Sequence, residues 1–414
     1  MRILYIAFHN PAVETILGGM HDETLSGLPA FYYPFKMLLE QGHTVDMLLY
    51  SDRSYDFKES EHFKKENFIQ VMPRGGRLFS IVFPFHLRRE VKKLLRSRHY
   101  DFVYGLAEGS HPGVCAAAEM GIPCALRQFG TQEMANVLEP MKKGLPRIIR
   151  ALKDYTYITL SMISRKSFVL ATNDGSRADE LYDILGIKKK KFDFYFWHSA
   201  VAIPEEQPEI NINASGNYPE EYDPMCLSMI NRVADVKRQD RAARILGELH
   251  RRGYKFHLYY VGSLDSPVMH KQTLDAAEEY GVSEYIHFEG GKPQRECHRY
   301  ARNSFATFQV GEWNRVNILY EEMGQGSLIV TNNNHSVDEY VEDEVNCILY
   351  DTEAEAAERI IALMSEPEKC AMLRRNAHET AKERFLTVNK RFGMEVQLIL
   401  DTAQGKKSDF PEVI

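Results

Sequence analysis

Residues 225–249 read MCLSMINRVADVKRQDRAARILGEL and place a strand, a turn and a helix in direct succession. The apolar run from Met225 to Ile230 has the length of a buried strand. Four apolar residues then recur at the spacing of one helix face: Ala242, Ile245, Leu246 and Leu249. Arg232 and Lys237 lie in the turn between the two elements. This succession predicts a strand followed by a crossover helix, the unit from which parallel sheets are built.

The same alternation of short apolar runs and longer amphipathic stretches continues along the 414-residue chain, so the predicted fold class is α/β. In the first half the predicted strands are 3–8, 44–50, 68–72, 101–105, 123–126 and 167–172. In the second half they are 225–230, 256–262, 285–289, 305–310, 327–332 and 346–350. We expect each set to form one open sheet of six strands.

A proline-rich segment at 204–224 separates the two halves. It contains Pro204, Pro208, Pro219 and Pro224, which disfavour both a helix and an inner strand. We therefore predict an N-terminal domain at 1–203, a linker at 204–224 and a C-terminal domain at 225–383. The last amphipathic stretch, near 384–402, is long enough to return to the first domain.

Composition narrows the functional classes. No stretch approaches the ~18 consecutive apolar residues of a membrane-spanning helix. The six cysteines are dispersed, with no pair spaced for a zinc or redox motif, which favours reduced thiols in a cytoplasmic protein. No Asp-Xaa-Asp occurs, so a divalent metal held by such paired carboxylates is not expected.

Basic residues cluster in the first half of the chain, although the formal net charge is −7. One cluster spans 74–98 and a second spans 142–166. Such surfaces suit the anionic headgroups of a membrane, and they equally suit the solvated helix faces of a globular domain. Nucleic acid is not an expected partner, because the chain is acidic and contains no recognised reading motif.

The stretch 310–332, VGEWNRVNILYEEMGQGSLIVTN, carries a family resemblance. It resembles the donor-binding domain of the retaining glycosyltransferases of the GT-B fold, family four, also called glycosyl transferases group 1. Their motif is Glu, seven residues, Glu, and then Ala-Met-Ala-Xaa-Gly, and residues 321–326 match its second half. Residues 338–349 are similar to another element of the same family.

Shorter fragments follow in the family's order over nearly the whole chain, at 18–19, 41–45, 121–123 and 288–290. Arg232 and Lys237 occupy the family's paired basic positions. The resemblance implies a GT-B architecture, in which two Rossmann-like domains face each other across a cleft and a C-terminal helix crosses back to the N-terminal domain.

Three departures from the family pattern stand out. Glu312 precedes Glu321 by nine positions, so eight residues intervene where the family has seven. Phe129 stands where the family usually has a histidine. The segment 197–201 replaces a common Asn-Gly-Val-Asp connector.

The resemblance implies roles for individual residues. Glu312, Arg232 and Lys237 are the expected catalytic residues. The expected donor-binding residues are Arg232, Lys237, Gly290, Lys292, Asn317, Ile318 and Glu321. The expected acceptor-binding residues are Gly19, Gly27 and Arg127.

The implied reaction is the retaining transfer of a hexosyl group from a nucleoside diphosphate sugar to a saccharide or a lipid-linked saccharide, in the synthesis of a surface glycan. The nucleotide sugar is a substrate, and no cofactor or metal is expected. A cytoplasmic protein is expected, at the inner face of the membrane if the basic clusters bind lipid.

Two alternatives remain open. A non-hydrolysing sugar-nucleotide epimerase shares the two-sheet architecture, but Arg127, Glu133 and His111 form no convincing acid and base set. A non-catalytic subunit that binds sugar nucleotides would agree with the shifted Glu312 and the absent histidine. A nicotinamide dehydrogenase is least favoured, because no Gly-Xaa-Gly-Xaa-Xaa-Gly follows a predicted strand.

Overall fold

The computed structural model describes residues 1–73, 79–129, 164–173, 177–184, 192–204, 223–312, 317–333 and 340–413 of the chain. The chain divides into two compact units. The first consists of Met1–Ser199 and Val388–Ile414, and the second consists of Ala200–Thr387. Most of the segment predicted as a linker, 205–222, lies outside the described residues.

The first unit contains a seven-stranded sheet in which every neighbouring pair is parallel. Its strands in chain order are β1 (Arg2–Phe8), β2 (Thr44–Tyr50), β3 (Phe68–Val71), β4 (Phe102–Leu106), β5 (Cys124–Gln128), β6 (Phe168–Thr172) and β7 (Asp193–Trp197). Across the sheet they lie in the order β3-β2-β1-β4-β5-β6-β7.

Strand β7 corrects the prediction of six strands in this half. The run from Phe192 to Trp197 is rich in aromatic residues, which favour strands, but Asp193 interrupts its apolar character. In the structure Asp193 is the exposed first residue of β7, and the other four residues of the strand are buried. The strand pairs with β6 on one side, and Phe196 forms a bridge to Val413 on the other.

Helices cover both faces of the first sheet. They span Pro11–Leu17, Pro29–Glu40, Phe79–Ser97, His111–Glu119, Ala178–Ile184 and Val388–Ala403. Successive residues of β1 enter different cores: Tyr5 packs in a cluster with Phe35, and Ile6 packs in a cluster with Leu87. This alternation follows from the period of two along a strand.

The second unit contains a six-stranded parallel sheet, as predicted. Its strands are β8 (Asp223–Ile230), β9 (His257–Val261), β10 (Ile286–Gly290), β11 (Ser304–Gln309), β12 (Ile329–Asn332) and β13 (Ile348–Tyr350). They lie in the order β10-β9-β8-β11-β12-β13. Its helices span Gln239–Arg251, Pro267–Glu279, Gln294–Asn303, Asn317–Gly324, Glu353–Met364 and Pro367–Arg384.

The strand order of the second sheet reverses between β8 and β11. In open parallel sheets, ligands bind beyond the carboxyl ends of the strands at such a reversal. The residues that follow β8 and β11 are therefore the first place to look for a site in this unit.

A buried ion pair fastens the Val388–Ala403 helix to the first unit. Glu395 on this helix is fully buried and accepts a hydrogen bond of 2.6 Å from the Tyr104 hydroxyl of β4. Arg391 Nη1 lies 3.1 Å from Glu395 Oε2, and Arg127 Nε of β5 lies 3.6 Å from the same oxygen. One carboxylate thus faces two buried guanidinium groups and connects the helix with the sheet.

Substitution of Glu395 by Ala is expected to lower the free energy of unfolding by about 3 to 5 kcal/mol, because it leaves two buried arginines without their carboxylate partner. Urea titration followed by circular dichroism measures this loss. Asp401→Asn on the same helix is the control. The exposed hydrogen bond that Asp401 accepts from Gln397 should contribute less than about 0.5 kcal/mol. Equal effects of the two substitutions would show that the buried pair does not fasten the helix.

Candidate functional site

The turn that follows β8 carries two of the predicted cations. Arg232 is well exposed, and its Nη1 lies 3.1 Å from Asp265 Oδ2. Lys237 is half-buried and ends a short 3-10 helix at Asp235–Lys237. The turn lies tightly against the end of β9, where a Cβ on Gly262 would come within 2.2 Å of the Asn231 carbonyl oxygen. The absence of a side chain at Gly262 therefore allows the turn to take this position.

Glu312 lies in the loop that follows β11, and its carboxylate is engaged by two arginines. Arg238 Nη1 lies 2.9 Å from Glu312 Oε1, and Arg241 Nη2 lies 3.0 Å from the same oxygen. The Glu312 backbone N–H donates to the Val236 carbonyl at 2.9 Å. The structure therefore brings the loop that carries Glu312 against the turn that carries Lys237. Residues 313–316 lie outside the described part of the chain.

Glu321, the expected donor-binding carboxylate, is buried on the Asn317–Gly324 helix. Its Oε1 accepts a hydrogen bond of 3.1 Å from Gln294 Nε2, and its Oε2 lies 3.1 Å from His298 Nε2. The pattern of residue types did not identify Gln294 and His298. Gln294 and His298 lie one turn apart on the Gln294–Asn303 helix, and this spacing is the feature of the sequence that places them on one helix face.

A chain of buried hydrogen bonds joins the two strand ends to this helix. Asn231 Nδ2 donates to Gln309 Oε1 at 3.0 Å, and Gln309 Nε2 donates to Glu322 Oε2 at 2.9 Å. Glu322 is fully buried, and its Oε1 has no hydrogen-bond partner among the described residues. Burial raises the pKa of Glu322 well above its ordinary value, and hydrogen bonds from Gln309 and Thr307 offset this only in part. Burial therefore favours the protonated form of Glu322.

The remaining predicted donor-binding residues lie at the end of β10 or at the start of the helix that follows β11. Gly290 ends β10 with φ +70°, and its carbonyl accepts from the Gly262 N–H at 2.9 Å. Lys292 Nζ lies 3.6 Å from Glu289 Oε2. Asn317 begins the helix that carries Glu321, and Ile318 packs against the cluster that contains Ile230 of β8.

The predicted acceptor residues belong to the first unit. Gly19 and Gly27 lie on either side of a short 3-10 helix at Asp22–Thr24, with φ values of +111° and +77°. A Cβ on Gly27 would come within 2.5 Å of Asn10 Oδ1, which accepts from the N–H groups of Ala12 and Leu28. Close packing against Asn10 therefore explains why position 27 is a glycine. A contact between this residue and an acceptor stays a prediction.

Arg127 is not available to an acceptor, which corrects the expectation for this residue. Its side chain is fully buried, Nη1 donates to the Leu170 carbonyl at 3.0 Å, and the guanidinium lies over the Phe129 ring. The prediction was wrong because Arg127 is an inner-strand residue of β5 whose side chain enters the core beside Glu395. His111, discussed with it as an acid or base, is also buried, and burial lowers its pKa to about 4. Glu133 lies outside the described residues.

Within the described residues, no helix is long and apolar enough to cross a membrane. The same part of the chain contains no group of three His, Cys, Asp or Glu side chains arranged to hold a metal ion. Metal-independence therefore stays a prediction from the sequence.

Comparison with known families gives a match within the second unit. Residues 214–380 match the family model described as glycosyl transferases group 1. This segment contains the turn after β8, the loop after β11 and the Asn317–Gly324 helix. No curated protein matches the chain in sequence.

Solved structures resemble the chain over nearly its full length. A glycosyltransferase from Rickettsia africae ESF-5 is 12% identical with a TM-score of 0.64, and the match covers 98% of this chain and 99% of that one. Anabaena Alr3699/HepE in complex with UDP-glucose is 15% identical with a TM-score of 0.63, covering 97% and 100%. WaaG, a glycosyltransferase involved in lipopolysaccharide biosynthesis, is 13% identical with a TM-score of 0.62, covering 96% and 99%. These similarities show the fold, two Rossmann-like parallel sheets with flanking helices as in GT-B glycosyltransferases.

Replacement of Glu322 by Gln is expected to stabilise the protein increasingly as the pH rises from 4 to 8. The folded pKa is raised above the unfolded value of about 4.3, so the stability that the protonated carboxyl contributes is complete below that value and is lost as the pH rises toward the folded pKa. Glutamine retains an oxygen for the Gln309 hydrogen bond but does not ionise. Each tenfold change in proton affinity corresponds to about 1.4 kcal/mol.

The measurement is the free energy of unfolding of the wild type and of Glu322→Gln, by urea titration at several pH values. The difference in the free energy of unfolding should be smallest near pH 4. As the pH rises, the variant should become increasingly more stable than the wild type. A difference that does not change with pH would mean that Glu322 is not a buried acid of raised pKa.

Proposed function

We propose that the protein is a glycosyltransferase that uses a nucleoside diphosphate sugar. The observation that carries this proposal is the convergence of four groups where the second sheet reverses its strand order. Arg232 and Lys237 follow β8, whereas Glu312 and Glu321 follow β11. The family match over 214–380 and the similarity of the fold to glycosyltransferases support the same assignment.

In the proposed reaction, the bond between the sugar C1 and the diphosphate oxygen breaks, and a bond between C1 and an acceptor hydroxyl oxygen forms as that hydroxyl loses its proton to the departing diphosphate. The sugar passes through an oxocarbenium-like state while negative charge grows on the departing diphosphate. Fixed positive groups aimed at this growing charge lower the barrier. Arg232 and Lys237 are the side chains that we assign to this task.

We assign the binding of the nucleotide sugar to the neighbouring elements. Glu321 accepts hydrogen bonds from the ribose hydroxyls, and Glu312 accepts from hydroxyls of the transferred sugar. Backbone N–H groups at the start of the Asn317–Gly324 helix add a favourable dipole for the diphosphate. Gly290 and Lys292 lie near the base. The sequence resemblance supports these roles, and retention of the anomeric configuration is proposed on the same ground.

Two of the similar structures support a more specific proposal. HepE was solved with UDP-glucose, and WaaG is involved in lipopolysaccharide biosynthesis. We accordingly propose a hexosyl donor, a saccharide or lipid-linked saccharide acceptor and a role in the synthesis of a surface glycan. Neutralisation of the diphosphate by Arg232 and Lys237 makes a divalent metal unnecessary in this proposal.

Substitution of Arg232 or Lys237 by Ala is expected to weaken nucleoside diphosphate binding by about 10-fold to 100-fold, since a hydrogen bond to a charged group contributes about 1.5 to 3 kcal/mol. Isothermal titration calorimetry with UDP, GDP and ADP measures this loss and identifies the base. Arg244→Ala is the matched control, because Arg244 pairs with Glu279 on the surface of the same unit. Unchanged affinity in both site variants, or no binding of any of the three nucleotides by the wild type, would contradict the proposal.

We further propose that the first unit binds an anionic membrane surface through the Phe79–Ser97 helix. Its exposed residues Phe85, Arg89, Lys93 and Arg96 recur at helical spacing, and the Phe85 side chain is 71% exposed. Arg88 and Lys92 pair with Glu119, and Lys93 pairs with Glu90, so the charge of these three is partly neutralised. An apolar ring beside several cations suits the boundary between lipid headgroups and acyl chains.

The second basic cluster contributes little to this surface in the part of the chain that the structure describes. Lys166, expected on the surface, is buried, and its Nζ donates to the Ser164 carbonyl at 2.8 Å and lies over the Phe192 ring. Most of the cluster at 142–166, and residues 74–78 of the first cluster, lie outside the described residues.

Charge reversal at Arg89 and Arg96 is expected to reduce binding to vesicles that contain anionic lipid, by roughly 10-fold or more, since each basic residue near such a surface contributes about 1 kcal/mol. Flotation with vesicles of phosphatidylglycerol and phosphatidylcholine measures the bound fraction. The control is Lys406→Glu with Lys407→Glu, an equal change of charge on exposed residues of the same unit. Equal loss in both proteins, or binding by the wild type that does not depend on phosphatidylglycerol, would refute the assignment to this helix.

A further inference from the structure

Arg238 has a backbone conformation that its residue type disfavours. It lies between the Asp235–Lys237 turn and the Gln239–Arg251 helix, with φ 54° and ψ 52°, in the left-handed region. A residue with a Cβ is unfavourable there, and glycine is the usual choice. Non-glycine residues kept in such conformations are often part of a functional site. The contacts of the Arg238 side chain show what this residue provides.

The Arg238 guanidinium bridges two carboxylates. Its Nε and Nη2 each lie 2.9 Å from an oxygen of Asp240, which forms a bidentate pair. Its Nη1 lies 2.9 Å from Glu312 Oε1. The planar guanidinium is thus fixed on the helix start by Asp240 and holds Glu312 with its third nitrogen. A lysine ammonium does not offer this rigid geometry.

Among the described residues, the side-chain contacts of the Glu312 carboxylate are made through one of its two oxygens. Arg238 and Arg241 both contact Oε1, and the Glu312 backbone N–H is fixed by the Val236 carbonyl. Among the described residues, no hydrogen bond to Oε2 is found, and the Glu312 side chain is 44% exposed. Without the two arginines, a glutamate of this exposure would sample several rotamers.

We infer that Arg238 is a positioning residue that holds Glu312 Oε1 so that Oε2 is free to accept a hydrogen bond from a hydroxyl of the donor sugar. This inference rests on the proposed function. It also concerns the spacing between Glu312 and Glu321, which is one residue longer than in the family motif. Glu312 is one position away from the family's first glutamate, and the contact with Arg238 compensates for this shift by fixing the carboxylate from the neighbouring turn. Arg238 acts through Glu312 and does not itself touch the diphosphate.

A purely structural role predicts something different. An exposed ion pair whose only effect is on folding changes the unfolding midpoint and leaves ligand selectivity unaltered. Arg238→Gly separates the two roles, because glycine accepts the left-handed backbone while the contacts with Asp240 and Glu312 are lost. The unfolding midpoint of the variant reports whether it is folded.

The experiment measures, by calorimetry, the affinities of UDP, GDP and ADP and of the corresponding UDP-, GDP- and ADP-glucose. For the base that binds, the ratio of the sugar-nucleotide affinity to the nucleoside diphosphate affinity isolates the contribution of the sugar. Arg238→Gly and Glu312→Gln should each lower this ratio by about 10-fold, while the affinity for the nucleoside diphosphate changes less than about 2-fold. The double variant should be no worse than Glu312→Gln alone. Arg244→Gln, on the same helix, should leave the ratio unchanged.

Each other outcome overturns the inference in a recognisable way. An unchanged ratio in Arg238→Gly shows that Arg238 does not position Glu312. Equal losses for the nucleoside diphosphate and the sugar nucleotide place Arg238 on the diphosphate. Additive losses in the double variant show that Arg238 acts independently of Glu312. If the wild type binds none of the six compounds, the proposed function itself fails and the inference fails with it.

Discussion

The geometry of the second unit depends on the two hydrogen bonds made by the side chain of Gln309. At the end of β11, this amide accepts from Asn231 at the end of β8 and donates to Glu322 on the following helix. Buried amide groups need partners, so these bonds tie the ends of the paired strands β8 and β11 to the following helix. The turn that carries Arg232 and Lys237 and the helix that carries Glu321 are therefore held in one arrangement. The proposed chemistry requires this arrangement, because the cations act on a leaving group whose ribose is bound by Glu321.

Much of the fold could be predicted from the lengths of the apolar runs. In parallel sheets the strands are buried on both faces, so they form nearly continuous apolar segments that are easy to find. All twelve predicted strands occur, with small differences at their ends. The strand β7 was missed because Asp193 at its exposed start interrupts the apolar run, although the other four residues of the strand are buried.

For the candidate site, the sequence predicted which loop carries each residue but not which side chains are in contact. Position after β8 or β11 was enough to bring Arg232, Lys237, Glu312 and Glu321 to one edge of the sheet, because parallel strands end on the same side. The partner of each side chain was not predictable in this way. Arg127 was predicted near an acceptor but enters the core, since the side to which a strand residue points depends on register. Arg238 was missed because nothing in a sequence pattern marks an arginine in a left-handed turn.

The charges around the turn after β8 are arranged so that most of them cancel in pairs. Arg232 faces Asp265, Arg238 faces Asp240, and Arg238 and Arg241 share Glu312. Burial raises the pKa of the Glu322 carboxyl well above its ordinary value, and the nearby charge of Lys237 lowers it only in part. A carboxyl whose pKa is raised by burial carries less negative charge at a given pH than an exposed one, so it opposes the attraction of a diphosphate to this turn less strongly. The same burial that disfavours an ionised Glu322 thus favours the positive potential on which the proposed function depends.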